Sequence, residues 1–102
     1  MRVRFTLGAR RQIAAIHAYI AAESPSGADS VVARIEEIAE MLGQHPKMGR
    51  KLPVGRLYRF PVRPYPYLIY YTVSGSEVRI VRVRHSARYR AAFHESEREF
   101  RV

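Results

Sequence analysis

The first half of the chain carries apolar residues at the spacing of an α-helix. In the first stretch they are separated by four, three and four positions: Ala9, Ile13, Ile16 and Ile20. This pattern predicts a helix over residues 7–23, with its apolar side chains on one face. A short alternating strand at 2–5 precedes it, and Thr6 is the expected N-cap.

A second helix is predicted directly after the first. Ser24 supplies an N-cap, and Pro25 fits the first turn. Its apolar positions repeat at intervals of three and four: Ala28, Val31, Ile35, Ile38 and Leu42. Gly43 suits the position just beyond the last turn. Because the break between the helices is short, they are predicted to pack as an antiparallel hairpin.

From residue 57 onward the pattern changes to that of β-strands. Residues 44–56 contain two prolines and two glycines without any period, which indicates a loop. The following strand, 57–63, alternates and places Arg59 and Arg63 on the same face. The stretch 67–73 is almost continuously apolar, as in an interior strand.

The last predicted strand, 77–85, changes phase. Val78 and Ile80 alternate with polar residues, but the apolar set then moves to Val81 and Val83. This shift predicts a β-bulge or a second buried face. Arg82 and Arg84 share a face just before His85.

These elements predict an α+β fold: an N-terminal strand, an antiparallel helical hairpin and a three-stranded antiparallel meander. The helices cover one face of the sheet, and the other face is open and basic. With 102 residues the chain has room for one core. We expect a single domain over 1–93 and a polar C-terminal tail over 94–102.

Charge is the most informative feature of the composition. The chain has 18 basic and 9 acidic residues, and 16 of the basic residues are arginine. Residues 44–93 contain eleven basic residues and one acid, Glu77. Arginine pairs bidentately with phosphate and carboxylate, so this half of the chain predicts an anionic partner. Cysteine is absent, which excludes disulfides and thiol chemistry.

Several local stretches, in this order, resemble the RelE/ParE superfamily and its ParE branch. They are Arg4-Phe5-Thr6, Pro46-Lys47-Met48-Gly49-Arg50, Tyr65-Pro66-Tyr67-Leu68-Ile69-Tyr70-Tyr71 and Val81-Arg82-Val83-Arg84-His85-Ser86-Ala87-Arg88. The resemblance covers residues 2–90 and implies the toxin of a bacterial type II toxin–antitoxin pair. It also implies a plasmid-stabilisation role, a cytoplasmic location and a co-expressed antitoxin whose flexible segment wraps the toxin.

The resemblance leaves two mechanisms open. ParE-like members are associated with inhibition of DNA gyrase, whereas RelE-like members cut mRNA in the ribosome. For the first mechanism we predict a surface that binds the target or the antitoxin: Arg50, Arg56, Arg59, Arg63, Arg82, Arg84 and Arg88. For a metal-independent nuclease the candidates are His85, Arg59, Arg82 and Tyr89. That set has no carboxylate base, since no carboxylate occurs between Glu40 and Glu77. A histidine can act as base as well as acid, so the nuclease stays open as an alternative.

A third alternative is a non-toxic basic module that binds nucleic acid or an antitoxin. The arginines then serve as partners for antitoxin acids, and His85 is a structural residue at a strand end. An acidic, partly disordered antitoxin is the expected partner in every case, and a homodimer or a toxin–antitoxin hetero-oligomer is compatible with the sequence. The histidines lack ligand spacing, and no stretch is long enough to span a bilayer, so we predict neither metal, cofactor nor membrane partner.

Overall fold

The computed structural model describes residues 1–87, which form a helical hairpin on a five-stranded mixed sheet. The elements are β1 (Arg2–Phe5), α1 (Leu7–Ala21), α2 (Pro25–Gln44), β2 (Arg50–Lys51), β3 (Leu57–Pro61), β4 (Tyr67–Ser74) and β5 (Glu77–His85). The strand order is β1-β5-β4-β3-β2. β1 runs parallel to β5, and the other neighbours are antiparallel. The predicted α+β class is confirmed.

Both helices begin where their caps were predicted. The Thr6 hydroxyl accepts a hydrogen bond from the Ala9 amide at 3.1 Å, and the Ser24 hydroxyl accepts one from the Gly27 amide at 3.1 Å. All five apolar positions predicted for α2 are buried. Their burial against the sheet, and not helix propensity, supplies most of the helix's stability.

The predicted role of Gly43 is wrong. α2 continues through Gly43 to Gln44, and Gly43 is buried against β1. A Cβ atom at this position would lie 2.6 Å from Cγ2 of Val3 and 3.0 Å from the Met1 carbonyl oxygen. The glycine is therefore required by the close approach of helix and strand.

The predicted loop and the strand after it also need correction. The segment 44–56 contains the two-residue strand β2, which is too short to show a period. β3 ends at Pro61, so Arg63 lies in the following turn and not on the strand beside Arg59. The Arg63 carbonyl accepts a hydrogen bond from Nε of Arg34 in α2 at 2.7 Å.

The predicted bulge in β5 is confirmed. Tyr71 lies opposite Ile80 and Tyr70 lies opposite Arg82, so Val81 is the extra residue. Because one inserted residue reverses the phase of a strand, Ile80 and Val83 both face the helices. Both are buried in the core.

The stretch 67–73 forms an interior strand, as predicted. Tyr67, Tyr70 and Tyr71 are buried there, and Tyr65 in the preceding turn packs against the core from a partly buried position. Within residues 1–87 neither helix is long and apolar enough to cross a membrane. The predicted tail, together with Arg88 and Tyr89, lies outside the described residues.

Candidate target-binding surface

The strands place seven arginines on the sheet face opposite the helices. Directly opposed residues of neighbouring strands share a face, so the strand register identifies the set. We call this surface the arginine face, and its arginines are Arg2, Arg4, Arg50, Arg59, Arg79, Arg82 and Arg84. The surface crosses all five strands.

A single cross-strand row runs through the middle of the arginine face. Arg50 is opposite Arg59, Arg59 is opposite Tyr70, and Tyr70 is opposite Arg82. The Tyr70 side chain is fully buried between its two arginine neighbours. Arg50 and Arg59 are the directly opposed pair of like charges in the row, and Tyr70 separates Arg59 from Arg82.

The bulge determines which residues of β5 join this face. Arg79 lies before Val81, whereas Arg82 and Arg84 lie after it. If the strand alternated strictly through all of its residues, with no bulge at Val81, Arg79 and Arg82 would lie on opposite faces because they are three positions apart. The bulge thus keeps all three arginines on one surface.

The same change of phase sends His85 to the helix side of the sheet. His85 is opposite Tyr67, and the two rings meet edge to face at 5.4 Å. Its Nδ1 accepts a hydrogen bond from the Ala87 amide at 3.1 Å. The described strands therefore do not bring His85 to Arg59 and Arg82, the other described members of the proposed nuclease set.

Glu77 is at the far end of the arginine face from the central row. Its Oε1 lies 3.5 Å from Nε of Arg4, and its Oε2 lies 3.1 Å from NH2 of Arg79. Their partners on β4, Ser74 and Tyr70, are four positions apart, so Glu77 lies about 13 Å from Arg82 along the strands. This carboxylate offsets part of the positive charge at the β1 corner, and among the described residues no carboxylate lies beside the central row.

Two other predicted binding residues lie away from the row. Arg56 is exposed in the turn before β3, next to Gly55, which has a φ of 58°. Arg63 is exposed in the turn after β3. Among the described residues no group of three His, Asp or Glu side chains is placed to hold a metal ion.

Tyr71 positions the loop that leads to Arg50. Its hydroxyl donates to the Pro46 carbonyl at 2.8 Å and accepts from the Gly49 amide at 2.9 Å. A Cβ atom on Gly49 would lie 2.4 Å from that hydroxyl, so the loop requires glycine. Burial raises the pKa of the Tyr71 hydroxyl; the Gly49 hydrogen bond lowers it, and nearby Tyr58 raises it further.

Sequence reasoning missed two further contributors. Gln12 of α1 accepts a hydrogen bond at 2.8 Å from the amide of Val83. Val83 lies in the part of β5 that no longer pairs with β1. β1 adds Arg2 and Arg4 to the arginine face. Alternation in β1 was visible in the sequence, but its parallel pairing with β5 is a long-range contact that no local pattern shows.

Known proteins with similar sequences identify the family of this chain. The family model described as the ParE toxin of the type II toxin–antitoxin system parDE matches residues 3–89. The chain belongs to the ParE toxin family. Toxin RelE2 of Caulobacter vibrioides is 38% identical over 87 residues, covering 85% of this chain and 97% of that protein.

A solved structure agrees with this assignment. A chain of the chromosomal ParDE toxin–antitoxin system from P. aeruginosa superposes with a TM-score of 0.74 and 25% identity. The match covers 83% of this ParE-family chain and 95% of the other. The protein is thus a type II toxin of the RelE/ParE superfamily, with an antitoxin as partner. The names of its relatives include both RelE and ParE.

Proposed function

We propose that this ParE-family toxin arrests bacterial growth by binding a protein target through the arginine face. DNA gyrase is the target expected from the family resemblance, and the cytoplasm is the expected compartment. The observation that supports this proposal is the central row of Arg50, Arg59 and Arg82. Fixed guanidinium groups on a sheet suit recognition of carboxylate or phosphate groups.

The distribution of titratable groups favours binding over cleavage. Cutting RNA by internal attack requires a base near the 2′-hydroxyl and cations near the phosphate. The row supplies cations, but His85 lies on the other face and Glu77 is held by Arg4 and Arg79. An acid–base pair is therefore lacking around the row within residues 1–87.

An acidic antitoxin is expected to neutralise the toxin. Its carboxylates match the arginine face, and its apolar residues match α1, whose outer side is poorly covered. Leu7 is 63% exposed and Tyr19 is 78% exposed. Large exposed apolar side chains are typical of a protein interface, and these two lie in the helix layer, on the other side of the sheet from the arginine face.

Ribosome-dependent mRNA cleavage is the second candidate function. The 38% identity to a toxin named RelE2 favours it, and the arginine row suits an RNA phosphate. This function requires a base from outside the groups described around the row. Ribosome-dependent cleavage leaves cut mRNA, whereas inhibition of gyrase alters DNA supercoiling.

The test is induced expression in a bacterial host, followed by purified-component assays. We expect growth arrest, intact message and inhibited gyrase supercoiling by the purified toxin. Arg50→Glu/Arg82→Glu is expected to reduce inhibition at least about tenfold because it reverses charge in the row. Arg10→Glu/Arg11→Glu, on exposed positions of α1, changes net charge equally and is the matched control.

Each alternative has a distinct signature in the same experiment. Cut message with normal supercoiling would replace the gyrase proposal by the nuclease. Normal growth at high expression would favour the non-toxic binding module. Equal loss of inhibition in both double variants would show that net charge, and not the arginine face, carries the effect. Circular dichroism of each variant checks that it folds.

A further inference from the structure

The loop between α2 and β2, residues 45–49, is held from inside the protein. The Tyr71 hydroxyl binds one backbone group on each side of Met48: the Pro46 carbonyl at 2.8 Å and the Gly49 amide at 2.9 Å. Tyr71 is fully buried, so the core fixes the position of its hydroxyl. A loop that is already ordered loses little conformational entropy when a partner binds to it. We call this segment the α2–β2 loop.

Met48 is exposed at the centre of the α2–β2 loop. Its amide donates to the His45 carbonyl at 3.1 Å, so its backbone is fixed. The residue is 43% exposed, and it is not among the described apolar residues that pack against the core. A single exposed apolar side chain is ordinary on a protein surface, so the surroundings of Met48 decide whether it marks an interface.

The surface around Met48 is hollow and basic. A shallow, largely apolar depression of about 610 Å³ is lined by Gln44, His45, Pro46, Lys47 and Met48. Within residues 1–87, Lys47, Arg50 and Lys51 form no ion pair. Methionine and arginine are both enriched in protein interfaces, and the flexible methionine side chain adapts to the shape of a partner.

The α2–β2 loop leads directly into the central row of the arginine face. Only Gly49 separates Met48 from Arg50, so the Cα atoms of these two residues lie within about 7 Å of each other. Arg50 is the first arginine of the row and lies opposite Arg59. A partner that covers the Arg50 end of the row therefore also meets Met48.

The protein target fits this surface better than the other possible occupants. Two-fold pairing of two copies through the loop would bring Lys47, Arg50 and Lys51 close to the same residues of the other copy, and like charges would repel. The antitoxin is expected on α1, which contacts β5 through Gln12. β4 and β3 separate β5 from β2, so the loop lies beside a different part of the sheet.

We propose that Met48 is an apolar anchor for the protein target, presented on the rigid α2–β2 loop beside the arginine row. The target places an apolar side chain in the depression against Met48 and carboxylates at Lys47 and Arg50. This inference rests on the proposed function, since it assigns a further contact to the same target. It separates target contact at the β2 edge from antitoxin contact at α1.

The test measures inhibition of purified gyrase and, in parallel, calorimetric binding of the full-length antitoxin. Met48→Ser is expected to raise the toxin concentration for half-inhibition at least about tenfold, whereas the Kd for antitoxin stays within about twofold. Met48→Leu restores an apolar side chain of similar volume and is expected to recover most of the lost inhibition. Ala33→Ser, at an exposed position of α2, is the control for a serine introduced elsewhere.

Tyr71→Phe tests whether the loop must be rigid. Loss of the hydroxyl frees the backbone on both sides of Met48, so inhibition is expected to fall at least about threefold although Met48 and Arg50 are unchanged. Tyr58→Phe keeps the hydrogen bonds of Tyr71 and is expected to inhibit like wild type. Hydrogen exchange at the Gly49 amide is expected to accelerate only in Tyr71→Phe, which distinguishes release of the loop from a general loss of stability.

The outcomes separate this inference from the proposed function. Wild-type inhibition by folded Met48→Ser would overturn the inference and leave the proposed function intact. An equal loss of antitoxin affinity in Met48→Ser would also overturn it, because the loop would then belong to the antitoxin interface. Wild-type inhibition by Tyr71→Phe, with faster exchange at Gly49, would overturn the requirement for a rigid loop. Failure of wild-type toxin to inhibit gyrase would overturn both proposals.

Discussion

The two helices share an apolar spacing but differ sharply in burial. α2 has seven buried residues: Ala28, Val31, Ile35, Ile38, Ala39, Leu42 and Gly43. α1 has one, Ala9, and its isoleucines are only partly buried. A helix gains stability chiefly from the face that it buries. The comparison indicates that α2 builds the core, while α1 keeps apolar surface available for a partner.

The helices also differ in how they connect to the sheet. α2 packs on the core, and the loop after it is held by the Tyr71 hydroxyl. α1 packs its isoleucines against the core and adds a polar contact to β5, where Gln12 accepts a hydrogen bond from the Val83 amide. The outer side of α1 exposes two large apolar residues, Leu7 and Tyr19. We predict from this difference that α2 contributes mainly to folding and α1 mainly to antitoxin binding.

Matched isoleucine deletions give the largest expected effect. Ile35→Ala in α2 is expected to lower the free energy of unfolding by about 3 kcal/mol, because Ile35 is fully buried and its loss leaves a cavity. Ile16→Ala in α1 is expected to cost about 1 kcal/mol, since Ile16 is only partly buried. Urea unfolding of both variants measures the difference. Equal losses would contradict the comparison.

Tyr71→Phe tests the segment that follows α2, with a smaller expected effect. Removal of the hydroxyl leaves the Gly49 amide and the Pro46 carbonyl without their shared partner, at a cost of about 2 kcal/mol. Tyr58→Phe is the control, because the Tyr58 ring stacks on Tyr71 at 5.3 Å but its hydroxyl makes no hydrogen bond within the described residues. A loss in Tyr58→Phe as large as that in Tyr71→Phe would show that the cost does not come from the hydrogen bonds of the Tyr71 hydroxyl to the loop.

The stability difference between wild type and Tyr71→Phe is also expected to depend on pH. Burial raises the pKa of Tyr71 in the folded protein above its ordinary value. The stabilisation from this group is therefore complete below the unfolded pKa of about 10 and is lost as pH rises through the folded pKa. The stability gap between wild type and Tyr71→Phe is expected to narrow above that pH in urea titrations. A gap that stays constant would contradict the assignment.

Local patterns in the sequence were enough to predict several elements correctly. The caps at Thr6 and Ser24, the core face of α2 and the bulge near Val81 each depend on residues within a few positions of one another. These are signals that a helix or a strand carries in its own sequence. The alternation of β5 also predicted that Arg82 and Arg84 share a face.

The remaining features depend on contacts between distant segments. Glycine commonly follows the last turn of a helix, but Gly43 lies inside α2, where it allows the close approach to Val3. The parallel pairing of β1 with β5 adds Arg2 to the arginine face, and no local period shows that pairing. His85 follows the arginines directly in sequence, yet the strand places it on the opposite side of the sheet. Adjacent positions in a strand are therefore poor evidence for a shared site.

Tyr19→Ser gives the smallest expected effect on stability and the clearest test of α1 as a binding surface. Tyr19 is 78% exposed, so the free energy of unfolding is expected to change by less than about 0.5 kcal/mol. Antitoxin binding is nevertheless expected to weaken at least about tenfold, because exposed tyrosines are common anchors of interfaces. Calorimetric titration of folded Tyr19→Ser with antitoxin, beside urea unfolding, separates the two effects. Unchanged affinity would mean that the exposed side of α1 is not part of the antitoxin interface, and the contrast between the helices would then concern folding alone.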